Sequence, residues 1–244
     1  MIKKRIILVL TFLDGILFRT KNFKPDYRYT KNFVDLWSAD EIILIDLSKK
    51  KFEKKFLDTV KFFSKNCFLP ISVGGGINTY EKAEYLFRNG ADKVIINSSS
   101  IKKPELICEI NKVYGEQSII HSIDCKKVLN KYKVFINNSQ TNTNLDPINW
   151  CKEIINFGVG EILVNNIDND GGLTGYDIEL IKMFEEFKKP ILALGGAGSW
   201  DHLLKLFNET NASGACTQNI FHFTEKSLIS LKSYLKNQNI SVRN

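Results

Sequence analysis

Five carboxylates stand at or just beyond the ends of short apolar runs: Asp14, Asp46, Asp124, Asp168 and Asp170. Carboxylates so placed are candidates for general acid and base work if the runs converge on one cavity. Asp124 follows the run Ser118 to Ile123 and is the leading candidate. The matching place at the end of the first run is held by Thr11, a neutral hydroxyl that cannot accept a proton near neutral pH. Asp14-Gly15 and Asp170-Gly171 also read as turns, the second able to offer an N–H to phosphate.

Two glycine-rich loops supply a second kind of chemistry. In Gly74-Gly75-Gly76 and Gly195-Gly196-Ala197-Gly198 the missing side chains let backbone N–H groups approach an anion, with the following helix adding a favourable dipole. Tight turns alone would also use glycine. Each loop has a polar neighbour, Asn97-Ser98 in the first half and Gln218-Asn219 in the second, suited to capping a helix or donating to phosphate. Two such half-sites imply a ligand with a phosphate at each end. His121, in mid-strand, reads as packing, and His202 and His222 lie in helical contexts without a serine or cysteine partner. Cys125 adjoins Asp124 but has no cation to lower its pKa.

These residues need elements to position them. Apolar runs of strand length recur at Arg5 to Leu10, Glu41 to Asp46, Phe68 to Val73, Lys93 to Ile96, Ser118 to Ile123, Glu161 to Val164, Pro190 to Leu194 and Ala212 to Cys216. Their continuous hydrophobicity fits parallel strands covered on both faces. Between most of them lie amphipathic stretches, Tyr80 to Arg88, Pro104 to Tyr114, Pro147 to Phe157, Asp177 to Phe187 and Trp200 to Phe207. The run Ile71 to Ile77 resembles Ile191 to Gly198, and Glu41 to Leu44 resembles Glu161 to Val164, at nearly one offset. Two halves of four β-α units predict an α/β chain folded as a single (β/α)8 TIM barrel over residues 1–244, with pseudo-twofold symmetry; an open doubly wound sheet is the alternative. Tyr132 to Ile136 reads as a short extra strand followed by a loop, Asn137 to Asn144.

At 244 residues and 43% hydrophobic content the chain suits one large core. Its net charge of +7 is scattered in pairs such as Lys49-Lys50 and Lys126-Lys127, which argues against nucleic acid. Five cysteines without CxxC or Cys/His spacing suggest neither disulfides nor a metal site, and fit a reducing cytoplasm. The apolar start reads as a strand rather than a signal peptide, because it breaks at Asp14-Gly15 without a cleavage site. No run of about 18 apolar residues predicts a membrane span. No cofactor is expected.

The chain resembles the cyclase subunit of imidazole glycerol phosphate synthase (HisF) over nearly its whole length. The resemblance rests on Lys4-Arg5-Ile6-Ile7 with Asp14-Gly15, Val73-Gly74-Gly75-Gly76-Ile77, Gly90-Ala91-Asp92-Lys93-Val94, Ile96-Asn97, Ser122-Ile123-Asp124, Gly160-Glu161-Ile162-Leu163, Asp168-Asn169-Asp170-Gly171, Gly175-Tyr176-Asp177 and Gly195-Gly196-Ala197-Gly198. It implies a (β/α)8 barrel that takes ammonia from a HisH-like glutaminase in a heterodimer and acts on a phosphoribulosyl-formimino nucleotide. It further implies phosphate or substrate binding at Gly76, Asn97, Ser98, Asp170, Gly171, Gly196, Gln218 and Asn219. An ammonia gate would be formed by Arg5, Glu41, Lys93 and Glu161, with partner docking at Asp92 and Gln117.

Asp124 matches one of the family's two catalytic aspartates, and Thr11 stands where the other is usual. That combination resembles the paralogues associated with acetamidino modification of bacterial surface sugars, which implies delivery of ammonia to a sugar amidotransferase. Leu145-Asp146-Pro147 and an altered loop at Lys21 to Tyr29 agree with it. Two other readings are a working cyclase, in which a residue such as Asp14 takes over, and a scaffold that only activates the glutaminase.

Overall fold

The computed structural model describes residues 3–29, 38–218 and 227–243. Eight parallel strands close into a barrel: β1 (Arg5–Leu13), β4 (Glu41–Asp46), β5 (Ile71–Gly74), β6 (Lys93–Ile96), β7 (Ile119–Val128), β10 (Glu161–Asn166), β11 (Ile191–Leu194) and β12 (Gly214–Thr217). They neighbour one another in the order β1, β4, β5, β6, β7, β10, β11, β12, and β12 returns to β1. Runs such as Ile6 to Leu10 are buried throughout because one face meets the bore and the other the helices. The helices are α1 (Lys54–Asn66), α2 (Tyr80–Arg88), α3 (Ser98–Lys102), α4 (Glu105–Tyr114), α5 (Pro147–Ile155), α6 (Ile178–Met183), α7 (Trp200–Glu209) and α8 (Ser227–Asn237). α1 shows why they cover the barrel: Phe56, Thr59, Val60 and Phe63, spaced three and four apart, are its buried residues.

Caps set where helices begin. Asp146 accepts from the N–H groups of Ile148 and Asn149 at 3.0 Å ahead of Pro147, and Asp177 accepts from that of Leu180 at 3.1 Å.

Two antiparallel extensions depart from the plain β-α repeat. β1 continues into β2 (Ile16–Lys21) and β3 (Lys24–Tyr29), and β7 into β8 (Lys131–Ile136) and β9 (Thr141–Asn142). The stretch Lys21 to Tyr29, expected to be a loop, is therefore mostly strand, and the expected loop after β8 contains β9. The cause is local turn chemistry. Asp14-Gly15, Asn22-Phe23 and Leu129-Asn130 all take positive φ in both residues, the two-residue turn that matches strand twist.

The halves superpose in register as well as in sequence. Ile7 pairs with Glu41 and Thr11 with Ile45, while Ile120 pairs with Glu161 and Asp124 with Asn165. Thr11 and Asp124 further occupy the same place in their hairpins, opposite Phe18 and Phe135.

Candidate functional site

A cavity of about 360 Å³ opens at the C-terminal ends of the barrel strands. Its walls include Thr11, Gly76, Asn97, Ser98, Asp124, Asp170 and Gln218, so most of the expected site residues converge there. Asp46 also lines it, but its two carboxylate oxygens accept from the N–H groups of Ser48 and Phe52. Asp14 and Asp168 are not in its walls. Asp14 sits in the β1–β2 turn, and Asp168 accepts from the N–H of Lys127 at 3.0 Å.

Asp124 is almost fully buried and accepts from Asn165 Nδ2 at 3.1 Å and Ser122 Oγ at 3.2 Å. Burial pushes its carboxyl up to about 6; Asp170 adds to the rise, and the two bonds oppose it. Burial likewise raises Asp170 to about 6, against the N–H of Phe23 at 3.0 Å. Thr11 has its hydroxyl turned to the backbone carbonyl of Phe18, so the position opposite Asp124 presents no acid or base.

The second glycine loop is closed differently from the first. Asp170 holds the β2–β3 turn through Phe23, and Gln218 Oε1 accepts from the N–H of Thr20 at 2.9 Å. The hollow beside Gly171, Gly195 and Gly196 measures only about 20 Å³. Both loops need glycine for one reason. A Cβ on Gly75 would sit 2.3 Å from the carbonyl oxygen of Asp46, and one on Gly195 2.4 Å from that of Asn166, with φ near +100° in each.

At the other end of the bore lies a ring of charge. Arg5 Nη1 bridges Glu41 at 2.7 Å and Glu161 at 2.9 Å, and Lys93 reaches Glu161 at 3.1 Å and Glu41 at 3.8 Å. Arg243 adds a further contact to Glu41 at 3.6 Å. Between ring and cavity the bore is packed by Ile7, Val9, Ile43, Ile95, Ile120, Leu163, Leu192 and Cys216.

A family model described as "Histidine biosynthesis protein" matches residues 11–227. The chain belongs to this family. It is 39% identical over 252 residues to the imidazole glycerol phosphate synthase subunit HisF of Hydrogenobaculum sp. (strain Y04AAS1), with all of both chains covered. It is 38% identical over 250 residues, again all of both chains, to the HisF of Natranaerobius thermophilus. It is 38% identical over 247 residues, 98% of each chain, to that of Campylobacter concisus.

In this barrel the residues expected to dock a partner, Asp92 and Gln117, line a groove of about 720 Å³ on the N-terminal face together with Lys93 and Glu161. One oxygen of Asp92 accepts from the N–H of Ile71 at 2.7 Å. Asn219 and His222 lie outside the described residues. His121 is fully buried, accepts from Trp150 Nε1 at 3.1 Å, and has its pKa lowered to about 3 by burial. Burial raises Cys125 well above the usual thiol range, and all five cysteines are unbridged. Among the described residues no group of three or more His, Cys, Asp or Glu is placed to hold a metal ion, and no helix is long and apolar enough to cross a membrane.

Sequence reasoning passed over Asn165, which binds Asp124, and Lys51 and Lys102, which stand in the cavity wall. The register of Asn165 opposite Asp124 follows from the half-chain repeat. Lys51 sits in an unremarkable lysine run with no such signal.

Proposed function

We propose that this chain is the barrel subunit of a glutamine amidotransferase complex, in which a HisH-like glutaminase docks on the N-terminal face and ammonia crosses the bore to the upper cavity. We assign its use to amidination of a surface sugar by a separate amidotransferase. Neutral ammonia suits the apolar bore, whereas ammonium would carry the cost of an unpaired buried charge. The ring of Arg5, Glu41, Lys93 and Glu161 closes the entrance until one of its pairs separates.

The single observation behind this reading is Thr11. It holds the place symmetric to Asp124, its hydroxyl is spent on Phe18, and loss of one member of an acid–base pair commonly costs about 10² to 10⁴ in rate.

A second reading is a one-aspartate cyclase of histidine biosynthesis. The names of the relatives favour it, and so does Asp124, whose pKa of about 6 suits a group that both takes and returns a proton near neutrality. Turnover of the phosphoribulosyl-formimino nucleotide with saturating ammonium salt separates the two. We expect no turnover by the wild type and some by Thr11→Asp. Robust wild-type turnover that Asp124→Asn abolishes would establish the cyclase and sink the first reading. For the conduit, Glu161→Leu should uncouple glutamine hydrolysis from amidinated product in the full complex; unchanged coupling would leave the scaffold role.

A further inference from the structure

Two buried acceptors on one strand lack a donor. Along β10 the residues facing the bore are Glu161 in the charged ring, Leu163 in the apolar packing and Asn165 in the wall of the upper cavity. Among the described residues, nothing donates to Glu161 Oε2 or to Asn165 Oδ1, although both atoms are buried. Four residues of strand rise separate the two Cα atoms by about 13 Å, so one acceptor stands at each end of the apolar bore. A buried acceptor left without a donor commonly costs about 1 to 3 kcal/mol.

Asn165 is the more informative of the two. Its amide has a fixed sense: Asp124 accepts from Nδ2 at 3.1 Å, and an ionised carboxylate has no proton to offer Oδ1. The donors around it are already spent. The Ser122 hydroxyl donates to Asp124, Asn97 Nδ2 to the Ser122 carbonyl at 3.0 Å, and the Thr11 hydroxyl to the Phe18 carbonyl. Asn165 is only 3% exposed, so a donor that reaches Oδ1 has to be about the size of ammonia or water; a sugar hydroxyl is too bulky.

We propose that Asn165 Oδ1 is the docking point for ammonia at the cavity end of the bore. This rests on the conduit reading and deepens it by naming the atom that receives the cargo. Ammonia gives one N–H to Oδ1, and because a carbonyl oxygen only accepts, the ammonia lone pair stays free for the carbon it is to attack. Glu161 Oε2 offers the corresponding acceptor at the ring. Each end of the bore then offsets part of the hydrogen bonding that ammonia leaves behind in water.

The test is a nuclear magnetic resonance titration of the isotope-labelled full-length chain with ammonium chloride, without glutaminase, at about pH 8 and about pH 9, where Asp124 is ionised. Ammonia reaches Asn165 here through the open upper cavity. Failure of the conduit would therefore leave this binding intact, and failure of this binding would leave passage through the bore untouched. We expect the Asn165 Nδ2 resonances to shift, with half-saturation at severalfold lower total ammonium at the higher pH, because the neutral species is what binds. Tetramethylammonium chloride, which has no N–H, should leave them unmoved. Asn165→Leu should abolish the accompanying shift of the Leu163 and Asp124 backbone N–H signals. Asn165→Thr, whose hydroxyl also accepts, should keep it and serves as the control for folding. Half-saturation at equal total ammonium at both pH values would mean a bound cation and overturn the docking of neutral ammonia. The same shift with tetramethylammonium, no shift at molar ammonium chloride, or an unchanged response in Asn165→Leu would overturn the site and leave water as its only occupant.

Discussion

Asp124→Asn should stabilise the barrel at neutral pH and not at acid pH. The carboxyl is nearly buried and sits at about 6 against an ordinary 3.8, with burial the main cause and Asp170 an added one. A rise of about two units corresponds to about 3 kcal/mol by which ionisation works against the fold. Because the folded-state pKa is raised, the folded chain keeps a proton that the unfolded chain has lost between about pH 4 and 6, and stability declines as pH rises through that window. An asparagine removes the decline. Its Oδ1 can still accept from Asn165 and Ser122, while its new N–H₂ group costs about 1 kcal/mol of imperfect pairing. The net gain is about 2 kcal/mol at about pH 7.5, vanishing or reversing slightly near pH 4.5. Urea denaturation of both proteins at the two pH values, with unchanged m, measures it. A gain equal at both pH values, or a variant less stable at the higher one, would refute the assignment of strain to the ionised carboxylate.

Glu161→Gln leaves Arg5 and Lys93 with one carboxylate between them and should cost about 3 kcal/mol in urea denaturation; a loss under about 1 kcal/mol would mean the ring contributes no stability. Gly75→Ala, which drives a Cβ to 2.3 Å from the Asp46 carbonyl, should cost at least about 2 kcal/mol, and a thermal midpoint within error of wild type would contradict the loop geometry. His121 is held neutral with a pKa near 3, so the wild type loses stability as pH falls below the unfolded value of about 6.5. His121→Phe should flatten that acid-side loss by about 2 kcal/mol between about pH 7.5 and 5, on top of a constant cost for stranding Trp150 Nε1, and parallel curves would refute it.

The barrel was legible in the amino-acid pattern. Continuous apolar runs alternating with helical periodicity can bury themselves on both faces only in a parallel sheet clothed by helices, and the repeat of Val73-Gly74-Gly75-Gly76 near Leu194-Gly195-Gly196 made that sheet two matching halves. It also put Thr11 where symmetry calls for a carboxylate, because strand register carries over between halves. What it did not determine is the unequal use of the two halves. Whether a glycine loop is open or sealed depends on where a hairpin formed by Asp14-Gly15 and Asn22-Phe23 lands, and that contact with Asp170 and Gln218 joins residues far apart in the chain. The placement of Lys51 and Lys102 in one wall is decided the same way, as is the ionisation of Asp124, since burial and neighbouring charge are properties of the closed barrel and of no local stretch.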